Sequence, residues 1–217
     1  WDIHYAAYEA QRRGEDVIIL SVGDPDFPTP DFITDAAIHA LREGDTHYTE
    51  IAGRLALREA IAARYTTLLH REVQAPDVIL TAGAQNALFA ASLCLLTSGD
   101  EVIALDPMYV TYEATLKASG ATLVRVPCTA DSGFRLDAAV LAKAITPRTK
   151  AIFLSNPNNP TGVVLNREEL QAIAELAIVH DLWVVVDEVY ESLAFEREHL
   201  SLAALPEYQR MLNGLKG

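Results

Sequence analysis

The chain is poor in the features that most often announce a function or a compartment. It has two cysteines in 217 residues, Cys94 and Cys128. They are far apart, have no CxxC partner and sit in apolar stretches, so two reduced, buried thiols are expected rather than a disulfide framework. No apolar run approaches the roughly 18 residues that a membrane helix needs. The first residues, Trp1-Asp2-Ile3-His4, lack the basic and apolar stretches of a secretory signal. Cations are outnumbered, 17 Lys and Arg against 30 Asp and Glu for a net charge of −13, and no basic cluster is longer than Arg12-Arg13. A nucleic-acid partner, which is held largely through its phosphates, is therefore not expected. The histidines (His4, His39, His47, His70, His180 and His199) are scattered without ligand spacing, so no metal is expected either. Gly-x-Gly-x-x-Gly, Walker, Gly-x-Ser-x-Gly and His-Glu-x-x-His motifs are all missing, as are internal repeats and low-complexity linkers. With these absences, a cytoplasmic globular protein without a membrane partner is the default expectation. At 50% hydrophobic and 22% charged residues, a chain of this length buries roughly 70% of its unfolded surface.

From Val78 onward, apolar runs alternate with helical patterns. Val78–Thr81 leads to a helix from about Ala84 to Leu96, and Glu101–Leu105 to one from about Tyr109 to Ala118. Thr122–Val126 precedes a helix from about Asp137 to Ala144. Ala151–Leu154 precedes one from about Arg167 to His180, and Trp183–Val186 follows. Gly99-Asp100, Gly120 and Asp181 punctuate the helix ends. This alternation predicts an α/β fold of three layers, with a mostly parallel sheet covered by helices on both faces. The beginning reads differently: a helix near Trp1–Arg13, a short strand at Val17–Leu20, then the proline-rich loop Ser21–Pro30. Thr29-Pro30 suits the start of a helix reaching about Glu43, and another helix follows Gly53. The expected organisation is an N-terminal arm over 1–45, packed on the main domain and lining its cleft, and a main domain over 46–217.

Two strings carry most of the chemistry. Ser155-Asn156-Pro157-Asn158-Asn159-Pro160-Thr161-Gly162 follows the run Ala151–Leu154, and Asp187-Glu188-Val189-Tyr190 ends the β-branched run Val184–Val186. Two buried parallel strands would deliver an amide, a carboxylate and a phenol to one sheet edge, where α/β folds place ligands. Asp187 would emerge at a strand end, where a carboxylate is costly to desolvate unless a cation meets it; capping the next turn is the plainer alternative. Asn159-Pro160-Thr161-Gly162 is also simply a good turn, since proline fixes φ and glycine tolerates positive φ. In Thr81-Ala82-Gly83-Ala84-Gln85-Asn86, Gly83 allows close approach and the Ala84 and Gln85 amides open a helix, which suits an anion; a glycine-containing strand–helix turn is equally ordinary. Tyr109, in Asp106-Pro107-Met108-Tyr109-Val110-Thr111-Tyr112, opens a helix, where aromatic rings usually pack into a core.

Taken together these strings resemble the cofactor site of the class I/II aminotransferases, the pyridoxal-phosphate (PLP) enzymes of fold type I, over essentially the whole chain. Trp1–Tyr5, Leu20–Phe27, Met108–Ala114 and His180–Trp183 look most like the arginine–pyruvate branch of that family. The resemblance implies that Asp187 meets the pyridinium nitrogen, that Asn159 and Tyr190 hydrogen-bond the ring oxygen, and that Tyr109 stacks on the ring. It implies that Gly83, Ala84 and Gln85 form the phosphate cup, and that the Gly23 loop helps hold the substrate carboxylate. It also implies that Tyr48 reaches the phosphate of the neighbouring subunit in a homodimer. The activity it implies is amino-group transfer from an amino acid to a 2-oxo acid. A β-eliminating lyase shares the ring-binding residues, and a non-catalytic aminotransferase-like module is a further alternative. The family's covalent lysine follows a Ser-Lys motif beyond the Asp-Glu-Val-Tyr string, ahead of a second small domain with a carboxylate-clamping arginine. Here Asn213-Gly214-Leu215-Lys216 resembles the approach to that motif without its serine. Lys216 is thus the candidate lysine, the alternative being one beyond Gly217. The expectation is a fragment cut at both ends and inactive by itself.

Overall fold

In a computed structural model of the chain, residues 1–195 and 197–206 are described. The chain divides into two units, Trp1–Tyr48 and a second that begins at Thr49. The first unit carries α1 (Asp2–Arg12) and α2 (Asp31–Arg42), joined by the extended proline-rich loop. Val17–Leu20, expected as a strand, pairs with no strand among the described residues.

The second unit continues with α3 (Leu55–Leu69), α4 (Ala84–Leu95), β1 (Glu101–Asp106), α5 (Tyr112–Lys117) and β2 (Thr122–Pro127). It is completed by α6 (Ala138–Ala144), β3 (Thr149–Ser155), α7 (Arg167–His180) and β4 (Trp183–Asp187). Among the described residues four strands run parallel, in the order β2-β1-β3-β4, so the α/β expectation of a mostly parallel sheet holds. Val78–Thr81 is not a fifth strand: Leu80 N–H donates to the Ala52 carbonyl at 2.9 Å, and no strand lies beside the segment among the described residues. An apolar β-branched run creates the propensity for a strand; a ladder also needs a neighbour.

Successive strand side chains point to opposite faces, and both faces are buried. Ile103, Leu105, Ile152, Leu154 and Val126 pack with Leu141 of α6 and Leu170, Ile173, Ala174 and Ala177 of α7. Val102, Ala104, Ala151 and Phe153 pack on the opposite face with Leu88 of α4 and Tyr112 and Leu116 of α5. Covering a sheet on both sides is what turns these strands into near-continuous apolar runs. Each fully buried Leu or Ile contributes about 1.5–3 kcal/mol relative to exposure. The edge strand β4 is only half-buried, and Trp183 at its start is exposed. Cys128 is buried as expected, but Cys94 is exposed: it lies on the side of α4 that the sheet does not cover.

Helix limits follow local chemistry. α7 opens with a reciprocal capping box, Asn166 Oδ1 accepting from Glu169 N–H at 2.9 Å and Glu169 Oε2 accepting from Asn166 N–H at 2.8 Å. It ends at Asp181, whose φ of 53° is left-handed. The α5 helix starts three residues later than its sequence pattern suggests, at Tyr112, because Pro107–Thr111 is spent on the loop that leaves β1. Among the described residues, no helix is long and apolar enough to cross a membrane, and no cluster of three or more His, Cys, Asp or Glu could hold a metal ion.

Candidate active site

Parallel strands end on the same side of the sheet, and register brings two of these ends together: Ser155, the last residue of β3, lies beside Asp187, the last of β4. The chain runs outward from β1 to β2 and then returns past β1 to β3. The crevice between the C-terminal ends of β1 and β3 is therefore a topological switch point, the usual ligand position in open α/β sheets. A cavity of about 260 Å³ opens there. Its walls come from the start of α4 (Ala84, Gln85, Leu88), the segment after β1 (Tyr109, Thr111, Tyr112), the end of β3 and its turn (Ser155, Asn159), and the end of β4 (Asp187, Val189, Tyr190).

Asp187 is held from two sides. Its Oδ1 accepts from Val189 N–H at 3.1 Å, the turn-capping bond open to any strand-end aspartate, and its Oδ2 accepts from the Tyr112 hydroxyl at 2.9 Å. Tyr112 is 3% exposed. Burial, and then the Asp187 charge, push its phenol well above the ordinary range, so it remains a proton donor. Tyr109 is half-buried, its ring standing edge-on to that of Tyr112 with centroids 5.9 Å apart and planes at 82°. Asn159 donates from Nδ2 to the Tyr190 hydroxyl at 3.3 Å, and its main-chain N–H donates to Ser155 Oγ at 3.2 Å. The Asn159 loop is tied to the β1 loop by Asn158, whose Nδ2 donates to the Pro107 carbonyl at 3.3 Å.

Where α4 begins, Gly83 caps the helix with φ 85° and ψ 165°, a conformation closed to most side chains. No side chain caps this helix end, and the first N–H groups of a helix have no partner within it. The Gln85 side chain is turned into other bonds: its Nε2 donates to Thr115 Oγ1 and its Oε1 accepts from the Thr111 hydroxyl, both at 2.6 Å. Its backbone amide is thereby left at the mouth of the helix. The cavity thus has a carboxylate at one side and the positive end of a helix dipole at another, with aromatic rings and an Asn–Tyr pair between. Such a site can hold a planar, anionic ligand that carries a cationic ring atom at its far end.

The family described as aminotransferase class I and II matches residues 15–212.

The chain belongs to the class I and II aminotransferases.

It is 50% identical over 206 residues to the arginine–pyruvate transaminase AruH of Pseudomonas aeruginosa, covering 95% of this chain and 52% of that protein. It is 40% identical over 213 residues to the aspartate/prephenate aminotransferase of Thermus thermophilus, covering 98% of this chain and 55% of the relative. The structure of aspartate aminotransferase from Thermus thermophilus with maleate superposes with a TM-score of 0.90 at 40% identity, over 94% of this chain and 53% of that one. The chain therefore spans about half the length of the relatives it matches.

Of the residues singled out from sequence in this aminotransferase chain, Ala84, Gln85, Tyr109, Asn159, Asp187 and Tyr190 line one cavity, and Gly83 adjoins it as the α4 cap. Gly23 and Tyr48 belong to the first unit, where both are exposed. Lys216 lies outside the described residues. Sequence reasoning missed the partners of these groups: Tyr112 beneath Asp187, Ser155 beneath Asn159, and the Thr111/Thr115 pair that turns Gln85 aside. The signal for Tyr112 was available in principle, since it lies three residues, almost one helical turn, beyond Tyr109; which of the two rings faces the strand ends is a matter of tertiary packing.

Proposed function

We propose that this chain is the cofactor-binding part of a PLP-dependent aminotransferase that moves an amino group from an amino acid to a 2-oxo acid. The observation that carries the reading is Asp187: a strand-end carboxylate, held by the hydroxyl of a buried tyrosine, lines a cavity that the start of an uncapped helix also lines. These residues fit PLP. The Ala84 and Gln85 amides would take its phosphate, Asp187 its ring nitrogen, Asn159 and Tyr190 its ring oxygen, and Tyr109 its face. PLP, when bound, supplies the electron sink that allows a bond at the amino acid Cα to be broken. The chain's own part is to orient and polarise. Asp187 would keep a proton on the ring nitrogen, the Tyr112 hydroxyl holds the Asp187 carboxylate in place, and the Asn159–Tyr190 pair would favour the ionised form of the ring oxygen.

In the same reading the Gly23 loop helps to bind the substrate carboxylate, and Tyr48 completes the phosphate site of a partner subunit in a cytoplasmic homodimer. The covalent lysine is Lys216 or one beyond Gly217. The likeness to AruH, 50% identical, supports arginine as donor and pyruvate as acceptor. The test is a coupled assay of the intact protein with PLP, arginine and pyruvate, expected to form alanine at roughly 1 per second or faster. Asp187→Ala should abolish most turnover while weakening PLP retention less. Release of ammonia without alanine, or near-normal turnover in Asp187→Ala, would refute the proposal.

A further inference from the structure

Asn156 and Glu188 are the first residues beyond β3 and β4, each adjoining a residue of the site, and both are held by one later segment. Asn156 is fully buried, and its main-chain N–H and both side-chain polar atoms are engaged. Its N–H donates to the Asp187 carbonyl at 2.9 Å, its Oδ1 accepts from Leu165 N–H at 2.9 Å, and its Nδ2 donates to the Leu200 carbonyl at 3.3 Å. The His199 ring faces the Asn156 main chain. That ring is 6% exposed, with Nε2 at 3.5 Å from Glu188 Oε1, while Ser201 Oγ donates to Glu188 Oε2 at 3.2 Å. At 3.5 Å the His199–Glu188 contact is too long for a good hydrogen bond, and neither atom has another partner. The distance is within ion-pair range once the ring carries a proton. The groups around the ring are the Glu188 and Glu191 carboxylates, Arg64 paired with Glu191, and the Tyr65 phenol that feels both carboxylates. Two carboxylates against one guanidinium leave a single negative charge, which one further cation would neutralise.

We propose that His199 is a positioning residue for Asp187: as a cation between Glu188 and the Asn156 main chain, it locks the turns after β3 and β4 together and so holds the Asp187 carboxylate at the cavity. The inference rests on Asp187 being the carboxylate that serves the cofactor ring. The Glu188 contact raises the His199 pKa above its ordinary 6.5, against the opposing effect of burial. A raised pKa means that the lock is fully formed below pH 6.5 and is lost as pH climbs through the raised value.

The test uses the intact protein, with labelled-histidine NMR to follow the His199 ring, hydrogen exchange at the Asn156 amide, and PLP affinity from pH 6 to 9. The ring is expected to titrate above 6.5. In step with it, the Asn156 protection factor should fall by on the order of tenfold, and PLP binding should weaken. His199→Gln, which can still donate to Asn156 but cannot become a cation, should show low protection and weak PLP binding, with no step at this pH. A ring that titrates at or below 6.5, or a His199→Gln protein that keeps the wild-type pH step, would overturn the inference. If PLP binds at no pH, the functional proposal fails, while the exchange and ring titrations still decide the lock. Should His199→Gln fail to fold, the wild-type protection profile decides alone.

Discussion

Removing one oxygen atom should test the heart of the site. Tyr112→Phe deletes the hydroxyl that donates to Asp187 Oδ2 at 2.9 Å and leaves ring volume and packing unchanged. Tyr112 is 3% exposed, so its ring stays packed in the variant. A hydrogen bond to a charged group is worth roughly 1.5–3 kcal/mol. At about 2–4 °C per kcal/mol for a domain of this size, the melting temperature of the cofactor-free protein at pH 7 should fall by roughly 3–12 °C. The assay is thermal unfolding by circular dichroism, run as a double-mutant cycle with Asp187→Ala. If the pair interacts, the double variant should be distinctly less destabilised than the sum of the two single variants. Losses that add to within about 0.5 kcal/mol would show that Tyr112 and Asp187 are energetically independent and would refute the reasoning. The pH dependence is a second check. The Tyr112 pKa is raised from an ordinary 10.0, so the folded state keeps a proton that the unfolded chain gives up. The stability that Tyr112 contributes is complete below pH 10.0 and is lost as pH rises from there; Tyr112→Phe should flatten that alkaline decline.

Two further substitutions probe the framework around the site. Gly83→Ala forces a side chain into φ 85°, ψ 165° although its Cβ would meet no atom within 4 Å, so the cost is backbone strain of about 1–3 kcal/mol, read as a lower urea midpoint; an unchanged midpoint would mean that α4 does not start as described. Glu169→Ala strips a buried carboxylate from Arg135, from Leu136 N–H at 3.0 Å and from Asn166 N–H at 2.8 Å, and should destabilise by about 3–5 kcal/mol in urea unfolding, whereas a loss below about 1 kcal/mol would mean that water satisfies those donors.

Much of this protein could be read from local sequence because local physics decides it. The alternation of apolar runs with helical patterns was enough for a parallel sheet covered on both faces. Strands such as Val102–Leu105 and Ala151–Leu154 are apolar at every position because both their faces are buried. The limits of α7 were legible for the same reason, since Asn166, Glu169 and Asp181 act within a turn of where they stand. That Ala84, Gln85, Tyr109, Asn159, Asp187 and Tyr190 share one cavity follows from their places at a helix start or in the segments that leave parallel strands, which all end on one side of the sheet. Other features were decided only by partners far away in the chain. Among the described residues, Val17–Leu20 and Val78–Thr81 have strand composition but no ladder, and β4 stands half-buried at the end of the strand order. Cys94 faces outward because of the rotation of α4 on the sheet. Tyr112 reaches Asp187 across 75 residues of sequence, and His199, without any motif around it, meets Glu188 and Asn156 only once β3 and β4 lie side by side. Propensity, capping and periodicity are properties of a few consecutive residues. Which carboxylate receives which donor depends on contacts between distant segments, and those exist only in the folded chain.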